Sequence, residues 1–177
     1  MTDIIDDLAG LDASASAALR GHRPDVVASA QASYDALLPA ALDADPVKNF
    51  GLDLRLLVAL RASVLEQQEA LVAHYAARLG DAALVDLAVS GPDRGLGLAA
   101  STSLRTILRH TDRLVLRAAS ATQSDLHALQ AAGLDEASIV VLSQIASFVT
   151  FQARVVHGLR VLAASTAIAT TSNGVTR

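Results

Sequence analysis

The chain contains no cysteine and no tryptophan, and two tyrosines and three phenylalanines are its only aromatic residues. The missing thiols exclude disulfides, thiolate metal sites and any cysteine nucleophile. With 52% hydrophobic but 3% aromatic residues, the core must be built from Ala, Leu, Val and Ile, which lets helices approach closely. Positive charge is also scarce. A net charge of -4 and a pI near 5.6 provide no cationic field for a phosphate backbone, so nucleic acid is not an expected partner. The amino-terminal MTDIIDDLAGLD is acidic where a secretion signal needs basic and then apolar residues, which predicts a cytoplasmic protein. The apolar region Ala137 to Ala169 is interrupted by Gln144, Gln152, Arg154, His157 and Arg160. It therefore reads as a buried helix with a polar exit rather than a membrane span, and no membrane partner is expected.

What the chain does have is helical periodicity throughout. Only four prolines and ten glycines interrupt it, and 177 residues suit one domain. The reading is a helical arm over residues 1–23, an all-α domain over 24–169 and a flexible tail over 170–177. Pro24 opens a helix reaching Leu38, with Val26, Val27, Ala30, Tyr34 and Leu37 on roughly one face. Pro39 to Gly51, with Asp43, Asp45, Pro46 and Asn49, reads as a loop. Asp53 is placed to cap a helix bearing Leu56, Leu57, Leu60 and Val64, and Glu66-Gln67-Gln68-Glu69 marks a break. A helix with Leu71, Val72, Tyr75 and Leu79 stops at Gly80. Further helices are expected over 81–89 and 98–119, separated by the turn Ser90-Gly91-Pro92-Asp93. Thr122 and Asp125 form a capping box for a short helix ending at Gly133, and Asp135 opens the long last helix, whose first half should lie in the core.

Gly51-Leu52-Asp53 followed by Leu57-Val58 and Leu60 recurs as Gly133-Leu134-Asp135 followed by Ile139-Val140 and Leu142. Each copy leads to a histidine, His74 or His157, one residue out of step. The pattern predicts an internal repeat of helical hairpins, with chance similarity between two Ala/Leu-rich helices as the alternative.

The stretches GLDLRLLVALRASVLEQQEALVAHYAARLG and AGLDEASIVVLSQIASFVTFQARVVHGL resemble the core of the carboxymuconolactone decarboxylase family, in its alkyl hydroperoxidase D-like (AhpD-like) branch. The resemblance covers about residues 25–162 and implies an AhpD-like helical bundle assembled as a homo-oligomer, a trimer or hexamer. The peroxidase branch carries a C-x-x-C pair, a histidine four residues beyond it and a glutamate upstream. Laid on this chain through His74, the two cysteine positions fall on Gln67 and Ala70, and the glutamate position on Arg55. An amide and a methyl group cannot form a sulfenic acid, and a guanidinium cannot act as a base. Thiol peroxidase chemistry is thereby excluded.

The decarboxylase branch reads more like E-E-L-x-x-H, of which Glu69-Ala70-Leu71-Val72-Ala73-His74 keeps one glutamate, the leucine and the histidine. The resemblance implies His74 as the catalytic proton carrier and Arg55 or Arg61 as the cation for a small anionic ligand. The pocket would draw on Arg55, Glu66, Gln67, Ala70 and Tyr75. On an ideal helix Gln67, Ala70 and His74 share a face, while Glu69 points away and Glu66 is free to accept near the break. Structural readings stand beside each of these. His74 also fits a core histidine bonded to a carbonyl, Arg55 a solvated helix exterior, and Tyr34 and Tyr75 packing anchors. His157, His22 and His127 read as surface residues. Arg109, Asp112 and Arg113 around His110 read as ion pairs on a helix surface. The segment from Gly91 to Gly97 follows no expected strand and is not read as a nucleotide loop. No metal and no cofactor are expected, because no His, Asp and Glu cluster has ligand spacing. Two function classes remain: a small-molecule binder or non-thiol acid–base enzyme of lyase or decarboxylase type, and a catalytically silent scaffold.

Overall fold

The computed structural model describes residues 3–40, 47, 49–93 and 101–173. Nine α-helices and no strand occur among the described residues, so the all-α class holds. They are α1 (Ile4–Ala9), α2 (Ala13–Arg20), α3 (Pro24–Leu37), α4 (Leu52–Leu65) and α5 (Glu69–Leu79), followed by α6 (Ala82–Ser90), α7 (Thr102–Arg117), α8 (Gln123–Ala131) and α9 (Glu136–Asn173).

Local chemistry sets most of the boundaries. Pro24 occupies the first turn of α3, where its missing N–H costs nothing. The Thr122 and Asp125 capping box opens α8 as expected. Gly80, at φ 68°, ends α5 in a backbone conformation that a side chain resists. Asp81 caps α6 by accepting from the amides of Ala83 and Leu84. The expected start of α7 at residue 98 and most of the expected loop around Asp43, Asp45 and Pro46 lie outside the described residues. So does the glycine-containing segment beyond Asp93.

The centre of the bundle is α4. Every side chain from Arg55 to Ser63 is buried, and α5, α6, α7 and α9 pack around it. A helix with no polar face can be stable only when other elements cover all its sides. The long helix α9 was the sequence's candidate for that position, yet it keeps an outer face on which Val140 is 54% exposed. By length and composition the span Glu136–Ser165 is apolar enough to cross a membrane, but half of its apolar 18-residue window is buried inside the bundle.

Two further expectations are corrected. Asp53 does not cap α4; Gly51 is the cap residue, without a side-chain bond, and Asp53 sits in the first turn. Asp135 does cap α9, accepting from the Ser138 amide at 2.8 Å. The two Gly-Leu-Asp copies thus start their helices in different registers. The first continues into a broken pair, α4 and α5, and the second into one helix of 38 residues, so the expected repeat of hairpins is not seen. That helix also runs to Asn173, into the segment expected to be a flexible tail.

The amino-terminal helices are docked as well. Ile5 and Leu8 enter the core, Arg20 bridges Asp3 and Asp6, and Arg160 of α9 donates to the Leu8 carbonyl at 2.8 Å. Burial of the apolar face of α1 therefore fixes this short helix, which by itself is below the length that is stable in water.

Candidate functional site

The break between α4 and α5 is built by Gln67, the only non-glycine among the described residues with a left-handed backbone, φ 56°. Its amide donates to Val64 and that of Gln68 to Ser63, which closes the end of α4 while α5 leaves in a new direction. A side chain in this conformation costs about 1 kcal/mol relative to glycine. The turn places Glu66, Gln67 and Gln68 opposite Ala153, Arg154 and His157 of α9, across a cleft of about 410 Å³. Glu66 is shielded, with a side-chain exposure of 18%, and its Oε1 is 3.9 Å from the guanidinium of the exposed Arg154.

Of the residues singled out in the sequence, Glu66 and Gln67 line this cleft. Ala70 packs against the core. Because Gln67 precedes α5 and is not helical, the ideal-helix face joining it to His74 does not form. The imidazole that shares the cleft with Gln67 is that of His157.

His74 faces α3. Its Nε2 lies 2.7 Å from the Tyr34 hydroxyl, and Arg78 donates to the same phenol oxygen at 2.7 Å. With Arg78 filling an acceptor site on that oxygen, the phenol proton is available for Nε2, and the imidazole is held neutral. Burial, followed by the nearby Arg78 charge, lowers the His74 pKa below its ordinary value. Burial likewise raises the Tyr34 phenol, against the opposing pull of Arg78. Tyr75 stacks edge-on against His74 with centroids 5.0 Å apart. It is fully buried and donates to Gln152 Oε1 at 2.6 Å; burial pushes its hydroxyl far above the usual phenol range. Among the described residues the Nε2 of Gln152 has no partner.

Arg55 is not the solvated residue expected, being only 4% exposed. It donates to the Phe50 carbonyl at 3.0 Å and to the Leu37 carbonyl at 3.1 Å. Arg78 donates to the carbonyls of Leu38 and Pro39. Helix α3 ends with carbonyls that have no partner within the helix, and these two guanidiniums satisfy them while opposing the negative end of the helix dipole. Arg61 is committed too: Nε and Nη2 bond both oxygens of Asp112 at 2.6 and 2.9 Å, and Nη1 donates to Ala88. The expected ion pairs of α7 exist, but each reaches another part of the fold. Arg109 pairs with Asp93, Arg113 with Asp125 and Asp112 with Arg61.

Sequence reasoning missed His110. It lines a cleft of about 180 Å³ between α7 and α8 and is only 5% exposed. The signal was present, because His110 lies three residues after Ile107 and four before Leu114, on the apolar stripe of α7. Two apolar grooves border α9. One, of about 810 Å³, lies between α3, α8 and α9 and is walled by Leu37, Leu126, Ile139, Val140 and Phe148. The other, of about 230 Å³, lies under α1 to α3 beside Phe151 and Val155. His74 lines none of these four clefts.

Among the described residues no group of three His, Asp and Glu side chains has a metal-holding arrangement. No protein-family model matches the chain, and no curated protein matches it.

Proposed function

We propose that the protein is a cysteine-free relative of the AhpD-like proteins, acting in the cytoplasm on a small anionic molecule bound in the cleft between the α4–α5 turn and α9. The observation that carries this reading is the strained Gln67. It sits where a shielded carboxylate, an imidazole and an unburied guanidinium meet around one cavity. Backbone strain of this kind persists where the surroundings enforce it, and it gathers at working sites. Arg154 supplies the cation for a carboxylate ligand, and Glu66 and His157 supply an acid–base pair of the kind that lyase or decarboxylase chemistry needs. The role first assigned to His74 passes to His157, since His74 is engaged by Tyr34.

A panel of short mono- and dicarboxylates, followed through the imidazole NMR signals, tests the proposal. The expected result is a saturable shift at His157, with affinity reduced about tenfold in Arg154→Gln. Gln67→Gly should raise stability by up to about 1 kcal/mol while weakening the same ligand. No response of His157 to any carboxylate would rule the reading out.

A second reading, a homo-oligomeric interaction protein, is favoured by the apolar groove beside α9, where Leu126 and Val140 are 41% and 54% exposed. Apolar surface of this kind is characteristic of interfaces. Light scattering should give the mass of a trimer or hexamer, and Val140→Glu should shift it toward monomer. A monomeric wild-type protein would remove this reading and leave the cleft proposal untouched.

A further inference from the structure

Four residues of α7 at helical spacing, Thr106, Arg109, His110 and Arg113, line the small cleft closed on its far side by Asp125 and Ala128 of α8. Neither ring nitrogen of His110 has a hydrogen-bond partner among the described residues, and its Nδ1 is completely buried. Leaving a buried polar nitrogen unpaired is costly, because it gives up its bond to water and gains none in return. A proton on Nδ1 would be buried without an acceptor, which favours the neutral tautomer with its proton on Nε2.

The two arginines beside it are held by loose partners. Arg109 bonds Asp93 at 2.7 Å, but both side chains are largely exposed, 60% and 73%, so this pair contributes little and exchanges readily. Arg113 reaches Asp125 at 3.2 Å and the Ser120 carbonyl at 3.2 Å. Asp125 shares its Oδ2 between Arg113 and the Thr122 amide and hydroxyl, both at 2.8 Å, at the start of α8, so its charge is divided among several donors. Two guanidiniums and an N–H donor thus surround a space too small for a cofactor and large enough for a tetrahedral oxyanion.

We propose that this α7–α8 cleft is an anion site for phosphate or a small phosphate monoester, held by Arg109, Arg113 and the Nε2–H of His110. It is separate from the cleft lined by Glu66 and His157, and it does not depend on the function assigned there. The guanidinium fork matches the geometry of phosphate oxygens. The bound dianion also favours protonation of His110, so the His110 pKa rises as phosphate is added.

Inorganic phosphate titrated at constant ionic strength, with the five imidazoles resolved by NMR, is the direct test. The expected result is a saturable shift of the His110 resonances with an upward move of its pKa, and no saturable shift at His22 or His127. Arg109→Ala and Arg113→Gln should each weaken phosphate at least about tenfold. Thermal melts establish that each variant is folded. Should Arg113→Gln melt early, Arg109→Ala decides alone, since the Arg109 side chain is largely exposed. An unsaturable response at His110, or one of unchanged affinity in Arg109→Ala, would overturn the proposal.

Discussion

Arg61→Met is expected to lower the free energy of unfolding by about 3 kcal/mol, the lower end of the range for breaking a buried ion pair from one side. The figure sits at that end because Asp112 retains 23% side-chain exposure, against 11% for Arg61. The loss comes from stranding the Asp112 carboxylate and the Ala88 carbonyl, both of which Arg61 bonds, more than from the attraction itself. Arg61→Met combined with Asp112→Leu should therefore recover most of the stability, since no uncompensated charge remains. Gly91 belongs to the same construction. At φ 89° and ψ 171° it adopts a backbone that is essentially glycine's alone, and a Cβ there would lie 2.9–3.1 Å from the Arg61 guanidinium. Gly91→Ala should thus destabilise through the same contact. Urea denaturation measures all of these, and an Arg61→Met loss within about 0.5 kcal/mol of zero would refute the account.

Arg55→Leu should cost about 3 kcal/mol. Its guanidinium donates to the Phe50 and Leu37 carbonyls from a fully enclosed position, and each orphaned buried acceptor costs roughly 1–3 kcal/mol. Arg55→Lys should recover less than half of that, because a single ammonium cannot reproduce the planar fork reaching from the start of α4 to the end of α3. The same variants separate structure from function. A substrate-binding arginine at this position would lose ligand affinity on replacement and keep its melting temperature; a carbonyl clasp loses the melting temperature first. Hydrogen exchange at the carboxyl end of α3 should quicken in Arg55→Leu, and an unchanged rate there would contradict the clasp.

Much of the local order was legible in the chain because it rests on short-range rules. Pro24 at a first turn, Gly80 at a helix end, the Thr122–Asp125 box and the break at Glu66 to Glu69 all lie within a few residues of the features they control. The candidate site was legible only in part. Glu66 and Gln67 do line a cleft, but the imidazole across it comes from a residue 90 positions beyond Gln67, and periodicity along one helix carries no information about the helix that will cover it. Arg55 and Arg61 were open to a sharper reading. They are the only cations in α4, whose residues from Arg55 to Ser63 are all buried, and a helix without a polar face must bury whatever charges it bears there and supply them with partners.

Three things follow from composition and local pattern alone: the all-helical class, the impossibility of thiol chemistry, and the caps that divide the chain, the expected Asp53 cap of α4 excepted. These depend on which atoms are present and on neighbours within a turn or two. Tertiary packing alone decided that α4 and not α9 is wrapped on every side, that His74 is engaged by Tyr34 while His157 faces Gln67, and that His110 is enclosed without a partner among the described residues. In each case the environment is built by side chains distant in sequence, and burial, which determines whether a polar group is solvated or must find a partner, exists only once those distant surfaces meet.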